Sequence, residues 1–288
     1  MESANKNNKE YCRACGALLH GKFCSECGEK RFDKKDLSMQ KIFLQGVDVF
    51  THLDSKIFKS VKLLITKPGL LAKEYCSGIK VKYAKPLQLF FLINVVYFLL
   101  LSLGGFNTFT TPLNVHMNSS WHKALAKSMV EHKMEAKKIT LDDYRIKFDS
   151  KVNVLSKSLV LIIAPLLSLM FGLLFITKKK TYPENFIFAL SFLSWILILN
   201  IAFQSVFLLS TYTFDKLLNI DLRSFFTDDL VSIILFVLIG VYSFYAIKKF
   251  YDEKRGIAFI KALITPFGFL LVLFVYRFIL FLLTYYTT

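Results

Sequence analysis

Five runs of this 288-residue chain are apolar over the roughly 20 residues that a helix needs to cross a bilayer, and that feature removes most folds from consideration. Within lipid a backbone must satisfy its own hydrogen bonds, so runs of this length are expected as helices. They cover Pro86–Gly105, Leu159–Thr177, Phe186–Ser210, Leu230–Ile247 and Ala262–Leu283. Pro86 opens the first run where a helix tolerates proline, Gly104 and Gly105 release it, and Pro165 is expected to kink the second. With 54% hydrophobic and 16% aromatic residues and a mean hydropathy of +0.46, the chain is too apolar for a soluble domain of its length. The expected fold is an all-α polytopic membrane protein of about five transmembrane helices with a small polar N-terminal unit. A secreted disulfide scaffold, a disordered tail and a wholly soluble enzyme are excluded.

The chain divides into residues 1–30, which carry four cysteines, an amphipathic juxtamembrane segment at 31–85, and a transmembrane bundle at 86–288 with an outer loop at about 107–157. Met1–Asn8 is polar and no signal-peptide-like apolar stretch precedes the cysteines, so the N-terminus is expected in the cytosol. The basic residues agree, because that orientation places 25 Lys and Arg in cytosolic segments against 11 outside. The expected topology is N-terminus inside and C-terminus outside. In the outer loop Trp121, Leu125 and Met129, then Ile139, Leu141 and Tyr144, recur at helical spacing, and Thr140–Asp143 resembles a capping box. Two amphipathic helices on the outer surface are expected there. No internal repeat of fixed period is visible.

Cys12-Arg-Ala-Cys15-Gly16 and Cys24-Ser-Glu-Cys27-Gly28 are two C-x-x-C-G knuckles. Four thiolates at this spacing close a tetrahedron, and a glycine after each second cysteine permits the positive φ that lets backbone N–H groups reach sulfur. Cys12, Cys15, Cys24 and Cys27 are therefore expected to hold a structural Zn²⁺. Rubredoxin-like iron, a redox dithiol and disulfides are the alternatives; a reducing cytosol disfavours disulfides, and the segment is too short for a thioredoxin-like context. So small a unit should unfold without metal. Arg13 and Lys22 against Glu26, with about −2 from the metal and its thiolates, leave the ribbon near −1. Phosphate binding, and with it DNA or RNA, is not expected. A cytosolic or membrane protein is the better partner, with Leu18, Leu19 and Phe23 either forming the contact or covering the metal.

Ile42, Phe43, Val47, Phe50, Ile57, Phe58, Val61, Leu64 and Ile65 fall mostly at helical spacing, with Lys56, Lys59 and Lys62 on the other side. A basic amphipathic helix broken near Leu53–Ser55 is expected, placed either in the anionic inner-leaflet interface or against the bundle. Lys67-Pro68-Gly69 should end it. Cys76 is expected to be a buried or interfacial free thiol. The order of two knuckles, an amphipathic segment, Thr66-Lys67-Pro68-Gly69, Tyr75, Gly78, Tyr83 and Pro86 resembles a family of bacterial membrane proteins of unknown function, DUF3667. The resemblance implies a bacterial inner-membrane protein with an N-terminal zinc ribbon. It supplies no activity.

The spans offer little for catalysis, since none contains a clear Asp, Glu or His. Asn94, Asn200, Gln204 and Arg277 are their main strongly polar residues. Arg277 and Gln204 each lie six residues before the end of a span, about 9 Å deep at 1.5 Å per residue. Arg277 is expected either to meet Gln204 or Asn200, with Asp228 or Asp229 as counter-charge, or to reach outward to headgroups. His116, His122 and His132 share the outer loop without a metal-ligand spacing. The functional expectation is a non-enzymatic membrane protein whose ribbon is a docking or regulatory module. The alternative is a transporter or channel component with a polar path through Asn94, Asn200, Gln204 and Arg277.

Overall fold

The computed structural model describes residues 10–47, 55–102, 108–217 and 228–288, which are helical apart from the ribbon, short turns and connections. The amphipathic segment forms α1 (Met39–Val47) and α2 (Ser55–Thr66), and the expected break lies largely outside the described residues. Of its two possible placements, α2 takes the bundle. Ile57, Ser60 and Leu64 are buried, the Ala84 N–H donates to Ser60 Oγ at 2.8 Å, and the Tyr242 hydroxyl donates to the Leu64 carbonyl at 3.3 Å. The segment ends at Lys67-Pro68-Gly69 as expected, and Gly69 turns the chain at φ +76° into α3 (Leu70–Cys76). Cys76 is buried at the end of that helix.

Helix α4 (Pro86–Leu101) starts on the expected proline but spans 16 residues, or about 24 Å, short of a hydrocarbon core of about 30 Å. Gly104 and Gly105 lie outside the described residues. The loop beyond holds α5 (Leu113–Asn118), α6 (Lys123–Lys137) and α7 (Leu141–Leu159), one helix more than its periodicity suggested. Thr140 caps α7, accepting from the Asp143 N–H at 3.2 Å while donating its hydroxyl to the Asp143 carboxylate at 2.6 Å. Nor is α7 separate from the second span: it passes through a 3-10 turn at Val160–Ile162 directly into α8 (Ile163–Leu174). Pro165 falls in the first turn of α8, where its missing N–H costs little, so the irregularity lies ahead of the proline.

Helices α9 (Tyr182–Leu217), α10 (Asp228–Phe250) and α11 (Arg255–Thr287) complete the bundle. Among the described residues four stretches are long and apolar enough to cross a membrane, namely Leu141–Leu174, Tyr182–Val206, Ser232–Phe250 and Arg255–Thr287. The chain is thus an all-α polytopic membrane protein. Helix α9 sits at its centre, with 72% of its most apolar window buried against 33–39% in the other three. Aromatic packing fixes that position: Phe171 meets Phe188 and Phe192, and Trp195 stacks on Tyr242 at 3.8 Å. Toward the ribbon, buried Glu253 accepts ion pairs from Lys178 at 3.1 Å and Lys261 at 2.9 Å, Lys73 pairs with Asp252, and Phe175 stacks on Tyr251 at 3.7 Å. At the opposite end α5–α7 close over the last turns of α11, where Lys137 Nζ donates to the Thr288 carbonyl at 2.8 Å and Lys133 donates to that of Tyr285. Those lysines satisfy carbonyls that a helix end leaves open.

Candidate metal centre

The two knuckles are built as copies twelve residues apart. In the first, Cys12 N donates to Ala17 O at 2.7 Å, Gly16 N to Cys12 O at 2.8 Å and Leu19 N to Glu10 O at 2.8 Å. In the second, Cys24 N donates to Glu29 O, Gly28 N to Cys24 O and Arg31 N to Lys22 O at 2.8–2.9 Å. Tyr11 bridges to Leu18 as Phe23 does to Lys30. The cysteine spacing shows two knuckles in the sequence; that their backbone hydrogen bonds repeat one for one is seen only in the structure, because the residues between the cysteines differ in chemistry while sharing one backbone path. Gly16 and Gly28 adopt φ of +80° and +71°, as the chelating turn requires.

All four sulfurs lie within 4.8 Å of one another, with Cys12 to Cys27 and Cys15 to Cys24 each at 3.6 Å. A tetrahedral ion bound by four thiolates at about 2.3 Å sets sulfurs about 3.8 Å apart, so the donor set fits one small soft cation. The four thiols titrate together: the N–H groups of Cys15 and Ala14 bring Cys12 down to about 7, while Cys27, despite the Glu29 N–H, is pushed up to about 12 by burial and the other three sulfurs, so a bound cation is what would hold all four as thiolates. With four protein ligands no coordination position stays open for substrate, and an ion here would be structural.

The second knuckle also anchors the ribbon. Glu29, two residues after Cys27 and 3% exposed, accepts from the backbone N–H groups of Lys80 and Val81, both at 2.8 Å. Arg13 lies over the Phe32 ring at 4.1 Å and donates to Ser77 O at 3.0 Å. Buried Asp36 accepts from Lys30 at 2.9 Å and Lys41 at 2.8 Å, and the hydrogen bonds of Lys41, then Lys30, hold its carboxyl down at about 2. The ribbon is therefore seated on the corner Ser77–Val81 that leads into α4. Glu29 was not singled out in the sequence, where a charged residue beside a knuckle looks solvated. Of the apolar groups weighed for contact, Phe23 is 63% exposed and Leu18 and Leu19 are half-buried; Tyr11, unremarked before, is 59% exposed.

The polar residues of the bundle take different hydrogen-bond partners. Arg277 Nη2 donates to Thr108 O at 3.2 Å, and Thr108 Oγ1 donates to Asn200 Oδ1 at 3.1 Å, so Asn200 is linked to Arg277 through Thr108. Gln204 is buried near the same level, alongside Tyr97. The side chains of Asp228 and Asp229 lie outside the described residues. Asn94 donates to the Lys157 carbonyl at 3.4 Å, next to Ser156, whose own carbonyl accepts from the Tyr276 hydroxyl at 3.5 Å.

The loop histidines gave no pattern in sequence, yet His116 Nδ1 and His122 Nε2 meet at 3.0 Å, both rings buried among Phe148, Phe278 and Phe281. Their spacing of six matches no helical pair because a turn between α5 and α6 separates them. Burial, then the neighbouring His122 and Arg277, push His116 down to about 4. Its ring stays neutral in the fold while an unfolded histidine takes a proton below about 6.5, so stability is expected to fall between about pH 6.5 and 4, by on the order of 3 kcal/mol. His116→Phe should flatten that slope. Hydrogen exchange over α5 and α6 across this range measures it, and an equal acid response in wild type and variant would refute it.

A family described as a protein of unknown function (DUF3667) matches residues 54–98, which run from α2 into α4 and include the corner beneath the ribbon but not the knuckles. No curated protein and no solved structure matches the chain.

Proposed function

We propose that this is a bacterial inner-membrane protein in which a cytosolic zinc ribbon acts as a docking and regulatory module, its state transmitted to the bundle through the corner Ser77–Val81. The observation that carries this is the Glu29 carboxylate on the Lys80 and Val81 N–H groups, which ties the turn containing Cys24 and Cys27 to the entry of α4. Metal occupancy and the position of that corner are then one equilibrium. Tyr11 and Phe23, matching positions of the two knuckles, stand exposed and offer an apolar pair to a protein partner. A ribbon charge near −1 favours protein over nucleic acid. The excess of basic residues on the ribbon side supports a cytosolic placement.

Cross-linked affinity purification from native membranes tests the docking role, comparing the intact chain with a Tyr11→Ser, Phe23→Ser double variant. A partner lost with the aromatic pair while zinc is retained supports it; an unchanged partner set refutes it. The coupling has its own prediction. Glu29→Ala removes two charge-assisted hydrogen bonds and is expected to weaken ribbon seating by about 2–3 kcal/mol while leaving metal content intact. Limited proteolysis between Lys30 and Lys41 reports the release, and unaltered cleavage there would count against the coupling.

A further inference from the structure

We propose that the cavity between Trp121 and Arg277, at the end of the bundle opposite the ribbon, binds the phosphate headgroup of an anionic phospholipid whose chain lies along α11. The exposed apolar face of α11 fixes the level. It runs from Ile257 through Phe267 and Leu271 to Val275, a rise of about 27 Å that closely matches a hydrocarbon core of about 30 Å. From Tyr276 to Leu282 the helix is covered, as Trp121 and His122 pack on Phe278 and His116 and His122 on Phe281, and apolar exposure resumes only at Leu283 and Tyr286 in its last turns. Arg277 therefore stands at the boundary where lipid phosphates lie, not deep within the span.

The cavity has a volume of about 810 Å³, and its polar wall is made by Arg277, Lys123, His122, Ser119 and Ser120 with no carboxylate among the lining residues. Two cations facing one space without a counter-charge favour an anion. Arg277 spends one Nη2 bond on Thr108 O, its Nε is buried without a partner, and no ion pair to it occurs among the described residues. His122 is 5% exposed, and with its Nε2 on His116 its Nδ1 is also unpartnered, adding a second polar group to the wall. The other wall is apolar and turned outward: Leu271 is 64% and Trp121 66% exposed, so the cavity opens sideways toward the bilayer. A soluble anion would need the cations alone, whereas a lipid uses both walls. Tryptophan at this level is the usual companion of headgroups.

Trp121 is itself the reporter, since the chain has two tryptophans and Trp195→Phe leaves Trp121 alone. The full-length protein in that background is reconstituted into phosphatidylcholine vesicles containing brominated phosphatidylglycerol or, at equal fraction, brominated phosphatidylcholine. The anionic lipid should quench Trp121 at a several-fold lower fraction, and Arg277→Gln or Lys123→Glu should abolish the preference. Lys123 is exposed, so its variant keeps the test valid even if Arg277→Gln fails to fold. Equal quenching by the two lipids, or a preference unchanged in Lys123→Glu, overturns the proposal. Inorganic phosphate is expected to compete poorly; complete loss of the preference on its addition would reassign the cavity to a soluble anion and overturn the lipid assignment.

Discussion

Cys24→Ser is expected to abolish metal binding, unfold the ribbon and release the corner beneath it, the largest single-residue effect in the chain. From Glu10 to Arg31 the buried residues are Cys12, Cys24 and Glu29, two ligands and one anchor, with no buried apolar side chain besides. Such a unit has no hydrophobic term to offset its chain entropy, so the ion must supply it, and structural zinc in peptides of this kind contributes about 10–16 kcal/mol. Losing one of four thiolates removes most of that and opens the tetrahedron to water. Elemental analysis of the purified protein should find about one zinc per chain, absent from the variant, on the stoichiometry of a closed four-sulfur site. Iron in the wild type would mark a rubredoxin-like centre instead. Tryptic cleavage at Lys22, Lys30 and Arg31 should accelerate sharply in the variant. Metal retained on three cysteines would show that Cys24 is not needed to hold the ion, and metal lost with cleavage unchanged would show that the ribbon does not depend on it.

The knuckles and the apolar runs were legible in the sequence because each is a local pattern: cysteine spacing dictates which sulfurs meet, and run length dictates which helices span. The stop at Lys67-Pro68-Gly69 and the cap at Thr140 are local for the same reason, and both stand in the structure. What escaped depends on distant pairing. Glu29 reaches residues 51 and 52 positions away, and nothing in its neighbourhood distinguishes it from solvated Glu26. His116 and His122 meet only because α6 folds back, which no helical periodicity encodes. The passage of α7 into α8 was hidden by a change in composition at Leu159, where a polar face gives way to a run apolar on all sides although the backbone stays helical. For Arg277 the depth legible in the sequence counts from a span end at Leu283. The helix itself continues to Thr287, since its helical backbone outlasts the apolar run.

Gly69→Ala should separate the juxtamembrane segment from the bundle while leaving the metal in place. Gly69 sits at φ +76°, where an L side chain costs about 1–2 kcal/mol. The larger penalty is steric: a Cβ there would stand 2.4 Å from the carbonyl oxygen of Ala246 and 3.0 Å from its Cα and carbonyl carbon. These are backbone atoms within α10, with Ala246 1% exposed, so no side chain can swing aside and α3 must move off α10. Strain and clash together are expected to cost about 3 kcal/mol or more. Gly16 supplies the contrast, for it shares the positive φ but has nothing within 4 Å of its Cβ position, so Gly16→Ala should carry the conformational cost alone. Cys76 reports the result, because it closes α3, is 7% exposed, and burial pushes its thiol well above the ordinary range. Site-resolved maleimide labelling of zinc-loaded protein should rise by about 100-fold, the opening that 3 kcal/mol allows. Labelling of Cys76 at the wild-type rate would mean that the α3–α10 contact does not hold this segment. A rise without loss of zinc would place the joint between ribbon and bundle at Gly69, independent of the ion.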